Sequence, residues 1–282
     1  MGALVKAEFR KIFTINLWWA LLVPVVVLSF GAGWFGTYFG SLDQLRADLG
    51  TTLPVGLLTV SMSTNFSTLF AALFGAMAVA AEHRNRSITT TFLTGSPRGA
   101  VIGAKLIAYA SVGLGYGVAN FLFGSLGGLL GSGIDGFGDP LDWLAVGGAG
   151  LLAMVLWTVL GVGFGALVVN SVAAITSLLV YRFVIESILA SVFVRAGLTS
   201  AGAYLPAAAG GGIVGNVAVP IFIQDLKQST GRYVPPEASD ALNVFTGGSV
   251  VHTWWVSLLI FTGYAAVFAA GGWLLSRQRD IT

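Results

Sequence analysis

The chain contains no cysteine and only two histidines, and just 9% of its 282 residues are charged. Each scarcity excludes something. Without cysteine there is no disulfide framework, no thiolate nucleophile and no cysteine-ligated metal, although the redox compartment stays undecided. His83 and His252 lie far apart and form no ligand pattern. Soluble domains carry about 25% charged residues, so this chain lacks the polar surface to cover a water-exposed globule. What it has instead is 56% hydrophobic residues and a mean hydropathy of +0.86. That composition specifies an all-α polytopic membrane protein, a single transmembrane domain over residues 1–282. The net charge of +2 does not indicate a nucleic-acid partner, because the cations sit at the edges of apolar runs rather than on one helical face. Membrane lipids are the surroundings this pattern calls for.

The opening "MGALVKAEFRKIF" carries charges of both signs, and the apolar run behind it is too long for a signal-peptide core, so it reads as uncleaved. Lys6 breaks the myristoylation pattern. Val5, Phe9, Ile12 and Phe13 fall at helical spacing with Lys6, Arg10 and Lys11 on other faces. Residues 1–16 are therefore expected to form a helix lying in the membrane interface.

With about 20 apolar residues taken as enough to cross, six spans are expected: 17–39, 57–81, 101–130, 144–169, 172–194 and 254–275. Lys and Arg set the orientation. Six spans place Lys6, Arg10, Lys11, Arg84, Arg86, Arg98, Lys105, Arg277 and Arg279 on one side, against Arg46, Arg195, Lys227 and Arg232 on the other. The richer side, with both termini, is assigned to the cytoplasm. Residues 202–223, "GAYLPAAAGGGIVGNVAVPIFI", are long enough to cross, yet Pro206, Pro220 and the three consecutive glycines at 210–212 are expected to break a straight helix. The region 195–253 is accordingly expected to be a broken, re-entrant outer segment between helices five and six, outside the main bundle.

The most charged stretch is "EHRNRSITTTFLTGSPRGAVIGAK", residues 82–105. Ile88 and Phe92 share a helical face, and Ser96-Pro97 stops the helix. A short helix with an apolar spot and a basic approach can dock in a groove on a soluble partner; equally, such cations can serve only as topology anchors.

The same stretch resembles the membrane (permease) subunit of bacterial type-2 ABC exporters: an acidic-x-Arg-x-x-Ser/Thr pattern, a hydroxyl-rich run, Ser-Pro-Arg, then Lys on the next span. The N-terminal "AEFRKIF", the C-terminal "RQRDIT" and the six-span plan are similar to that family as well. The resemblance implies a permease in a bacterial plasma membrane that pairs as a homodimer or heterodimer and docks an ABC ATPase subunit. It implies that 82–100 is a cytoplasmic coupling loop, with Glu82, Arg84, Arg86, Thr89, Phe92, Pro97 and Arg98 at or near the ATPase contact. The cargo would be amphipathic: a drug, antibiotic, lipid or glycolipid. ATP and Mg would belong to the partner, leaving this chain a non-catalytic subunit without a cofactor of its own. Consistent with that, the nearest approach to a phosphate-cradling loop, "GAVIGAKL" at 99–106, has the wrong spacing and no hydroxyl after Lys105.

Arg182 and Glu186 are the only charges deep in an expected span. Each would cost roughly 2.5–3.5 kcal/mol at mid-bilayer, so neither should face lipid. Four residues apart, they share a face, as a polar feature of a translocation path or as a packing device: a buried ion pair, or separate bonds to other helices. An ion-paired Glu186 would resist protonation. In "SMSTNFSTLF" (61–70) the hydroxyls suit bonds within the bundle, and Asn65 is the candidate path-lining residue. Gly36/Gly40, Gly113/Gly117, Gly127/Gly131 and Gly161/Gly165 have small-xxx-small spacing and read as helix packing. The alternative function is a secondary, proton-coupled transporter or a channel acting without an ATPase; it would show internal repeats or broken helices at the midplane, and no repeat is present.

Overall fold

A computed structural model describes residues 1–40, 54–84, 98–168, 170–231, 235–249 and 251–278, and every regular element among them is helical. In chain order these are α1 (Gly2–Thr14), α2 (Leu17–Gly40), α3 (Val55–Arg84), α4 (Arg98–Ser132) and, after a 3₁₀ turn, α5 (Pro140–Val168). Then α6 (Ser171–Val180) runs through a π-helical turn (Tyr181–Ile185) into α7 (Glu186–Arg195). A second 3₁₀ turn (Thr199–Tyr204) leads to α8 (Pro206–Thr230), α9 (Pro236–Thr246) and α10 (Trp254–Gln278).

Among the described residues seven helices are long and apolar enough to cross a membrane. Six coincide with the expected spans; the seventh is Pro206–Thr230. Here the structure differs from the expectation of a broken segment. α8 is one continuous helix of 25 residues through all three glycines and Pro220. The reasons are local. Pro206 occupies the first turn, where its missing N–H breaks no bond. The helix stops at Gly231, whose φ of 65° is the left-handed conformation a side chain disfavours. Nor does α8 lie outside the bundle: 61% of its most apolar window is buried, against 11% for Ser171–Arg195.

The core is built on α3 and α5. The apolar window of α3 is 78% buried, so the polar side chains it carries need partners inside the bundle. Its hydroxyls turn inward on their own helix: Ser63 and Thr64 donate to the Val60 carbonyl at 3.0 and 2.7 Å, and Thr68 to that of Asn65 at 2.8 Å. Asn120 of α4 donates to Thr64 at 2.8 Å. These are the in-bundle bonds expected of that polar run. All four glycine pairs fall on seams within the chain. Gly161 and Gly165 face the Ala72 and Ala76 carbonyls of α3, Gly127 and Gly131 face α2, Gly113 and Gly117 face α5, and Gly36 and Gly40 face Thr59 and Val55.

α1 is fixed to α4 by a buried ion pair. Lys105 Nζ lies 2.6 Å from Glu8 Oε2, and Lys11 Nζ lies 2.7 Å from Glu8 Oε1. Glu8 and Lys105 are 3% and 5% exposed. Burial pushes the Glu8 carboxyl up, but Lys105 and Lys11 together outweigh it and hold the group below the ordinary glutamate range. A lowered native pKa means that the stabilisation is complete above the unfolded value, about 4.3, and is lost as pH falls through the native one. Glu8→Gln is expected to cost about 3–5 kcal/mol, because it leaves a buried ammonium without its carboxylate. It should also abolish the acid-dependent part of α1 release, read by hydrogen exchange of residues 2–14 from pH 7 to pH 3. Unchanged exchange in the variant would contradict this account of how α1 is held.

Candidate functional site: a polar layer between two cavities

Arg182 and Glu186, the two deep charges, turn to different helices. Arg182 Nη2 donates to Asn65 Oδ1 at 2.6 Å and to the Asn65 carbonyl at 3.2 Å, and its guanidinium lies over the Trp157 ring, 5.7 Å from the centroid. Glu186 accepts from the backbone N–H groups of Ala207 (2.9 Å) and Ala208 (2.7 Å), the first free donors of α8. Of the two packing arrangements open to the pair, this is separate bonds to other helices. The π turn between them is the local cause: its i→i+5 bonding inserts a residue and removes the simple four-residue stack.

The carboxylate therefore caps a helix inside the bundle. A helix N-terminus carries unsatisfied N–H groups and a partial positive charge, and Glu186, 6% exposed, supplies an anion there. From this point α8 rises until Asp225 reaches the α4–α5 connection at Gly138. Its glycines are contact points. Gly210 clears the Trp157 indole, Gly211 packs on Asn65 and Gly247, and Gly212 faces Ser257. Gly247, with φ of 77°, ends α9 directly against the Asn65 side chain. Asn65, Trp157, Arg182, Glu186 and the start of α8 thus pack into one polar layer.

A cavity lies on each side of the layer. The first, about 530 Å³, is a half-open cleft among α5, α6, α10 and the start of α8; Trp157, Phe164, Tyr181, Pro206, Tyr264 and Phe268 line it, with the Thr176 and Ser177 hydroxyls. It has no charged lining residue, so its chemistry suits the apolar part of a ligand. The second, about 590 Å³, lies along the C-terminal half of α8 and is edged by amides, hydroxyls, Lys227, His252 and Trp254. Asn216 anchors its wall: Nδ2 donates to the His252 carbonyl (2.9 Å) and to Ser257 (3.1 Å), while Oδ1 accepts from the Ser249 N–H (2.6 Å).

Asn65, Arg182 and Glu186 are thus brought into one site. Of the expected ATPase-contact residues, Glu82 and Arg84 fall in the last turn of α3 and Arg98 opens α4. Arg86, Thr89, Phe92 and Pro97 lie outside the described residues. Sequence reasoning missed Trp157, Asn216 and Glu8. Asn216 carried a signal, as the one amide in the apolar, glycine-rich run 207–223. Glu8 carried another, falling on the same face as Val5 and Ile12. Among the described residues no group of His, Asp and Glu is placed to hold a metal.

No family model matches the chain, and no curated protein is detectably similar to it in sequence. The class that the fold defines is an α-helical protein with the several long apolar helices of a multi-pass membrane protein.

Proposed function

We propose that this chain is the permease subunit of an ATP-driven exporter in a bacterial plasma membrane, forming a path for an amphipathic cargo. The observation that carries the reading is the gathering of cations on the connection between α3 and α4, "EHRNRSITTTFLTGSPR", and its likeness to the coupling loop of type-2 ABC permeases. The Glu8–Lys105 pair adds support, since it fixes α1 to α4 close to that connection and so offers a soluble motor two elements to push together. In this reading the apolar cavity receives the cargo's hydrophobic part, and the Asn65–Arg182–Glu186 layer is the closed barrier. ATP binding to the partner opens the layer through contacts that differ between the two states. The chain itself is non-catalytic and pairs with a second permease copy or a homologue.

Co-purification in a gentle detergent tests this. Wild type is expected to bring down an ATPase, and Arg84→Glu/Arg86→Glu to lose at least about 90% of it, as reversal of two charges at an interface costs several kcal/mol. A well-folded protein with no ATPase partner sinks the proposal. One observation favours the alternative, a secondary transporter: the α8 N-terminus sits inside the bundle beside a carboxylate, as half-helix ends do in such proteins. Proton-driven uptake into liposomes containing this chain alone would support that reading.

A further inference from the structure

We propose that the cavity beside α8 and α9 is a binding site for a neutral, hydroxyl-rich group, a sugar or polyol head. The α8 wall is one helical face: Asn216, Val219, Pro220, Ile223, Gln224, Lys227 and Gln228 recur at three- and four-residue steps. Beyond Asn216 that face passes from apolar at 219–223 to polar at 224–228. An amphiphile needs that gradient at the junction between its tail and its head. The polar end is exposed and uncommitted, for the side chains of Gln224, Lys227 and Gln228 make no hydrogen bond or ion pair among the described residues. At the Asn216 end of the cavity the His252 ring stands edge-on to Tyr204, 4.5 Å between centroids, and its buried Nε2 has no partner among the described residues. Pro220 has no N–H to give the Asn216 carbonyl, which leaves that acceptor outside the helical ladder on the same face.

Charge decides among ligand classes. The lining holds one cation, Lys227, and no carboxylate, so a cationic head finds no counter-ion. Asp225 stands on an adjoining face of α8 with Asp139 and Asp142 nearby, and Glu237 opens α9; this acidic surround disfavours an anionic head. Primary amides and hydroxyls both donate and accept, which matches vicinal hydroxyls, and Trp254 lines the same cavity with an aromatic ring. The site is independent of any motor, so it stands or falls separately from the exporter reading.

The test uses the full chain, purified in a non-glycosidic detergent and placed in nanodiscs. Three diazirine lipids with identical acyl chains are compared: glucosyl-diacylglycerol, diacylglycerol and phosphatidylglycerol, with crosslinks mapped by peptide mass spectrometry. The glucosyl lipid is expected to label residues 216–228 at least ten-fold more than the other two. Gln224→Ala/Gln228→Ala is expected to lower that labelling by about ten-fold or more with helicity unchanged, since one lost hydrogen bond is worth about five-fold. Competition by millimolar methyl glucoside identifies a soluble sugar as sufficient; no competition identifies a lipid-borne head. Equal labelling by all three lipids, or preference for phosphatidylglycerol, overturns the proposal.

Discussion

Glu186→Ala is expected to destabilise the protein by about 3–5 kcal/mol, more than any other single side-chain truncation in the polar layer. Two backbone donors of α8 lose a charged acceptor at once. Hydrogen bonds to charged groups contribute about 1.5–3 kcal/mol each. In water, solvent would replace the carboxylate; here its other polar neighbours, the Tyr181 hydroxyl that bonds it and Arg182, are themselves donors and leave the two N–H groups without an acceptor. Glu186→Gln separates the contributions. Its carbonyl keeps one acceptor, while the anion at the helix N-terminus is lost, an effect of about 0.3–2 kcal/mol. The expected order of unfolding temperature in nanodiscs is therefore wild type, then Gln, then Ala. Protease nicking of 199–206 should rise in the same order, because that linker runs directly into the capped end of α8. An Ala variant as stable as wild type would show that α8 is held by packing alone. Transport divides the readings further. If Glu186→Gln assembles with a motor and sustains ATP hydrolysis yet moves no cargo, the carboxylate belongs to the path as well as to the cap.

The layer was only partly legible in the sequence, and the division has physical causes. Arg182, Glu186 and Asn65 announce themselves because a charge or amide in an apolar run is costly and must be bonded. Their partners do not. The Asn65–Arg182 bond joins residues 117 apart in the chain, and the π turn that separates Arg182 from Glu186 has no compositional signature. α8 failed for the opposite reason. Glycine and proline propensities describe a helix in isolation, where Gly210, Gly211 and Gly212 are a cost. Inside a bundle the same residues permit contact with Trp157, Asn65 and Ser257 that any larger side chain would block. The six other expected segments fall in long apolar helices with ends shifted by a few residues, because run length alone decides them. Glu8 was hidden in a different way: on a helix taken to lie flat on the membrane, one acid among three cations reads as surface charge, and only its face reveals that it points toward Lys105.

The same distinction between permissive and costly glycine yields the second large effect. Gly161→Ala and Gly165→Ala in α5 are each expected to destabilise the protein by about 1–3 kcal/mol, the range for overpacking a close contact, even though alanine is the better helix former by about 1 kcal/mol. The obstacle is backbone. A methyl at Gly161 meets the Ala72 carbonyl and one at Gly165 meets that of Ala76, and a carbonyl in a helix cannot swing aside as a side chain can. α3 and α5 must therefore separate along the seam at the centre of the core, loosening Leu73 and Leu160 beside it. Because one displacement relieves both clashes, the double variant should cost less than the two singles added together. Gly148→Ala, on the same helix with open space at its Cβ, is the control and should be neutral or slightly stabilising. Thermal unfolding in nanodiscs, read with the mass of the assembled particle, checks all four variants. If Gly161→Ala tracked the control in stability while changing the number of chains per particle, the glycine stripe would join two copies and not α3 to α5.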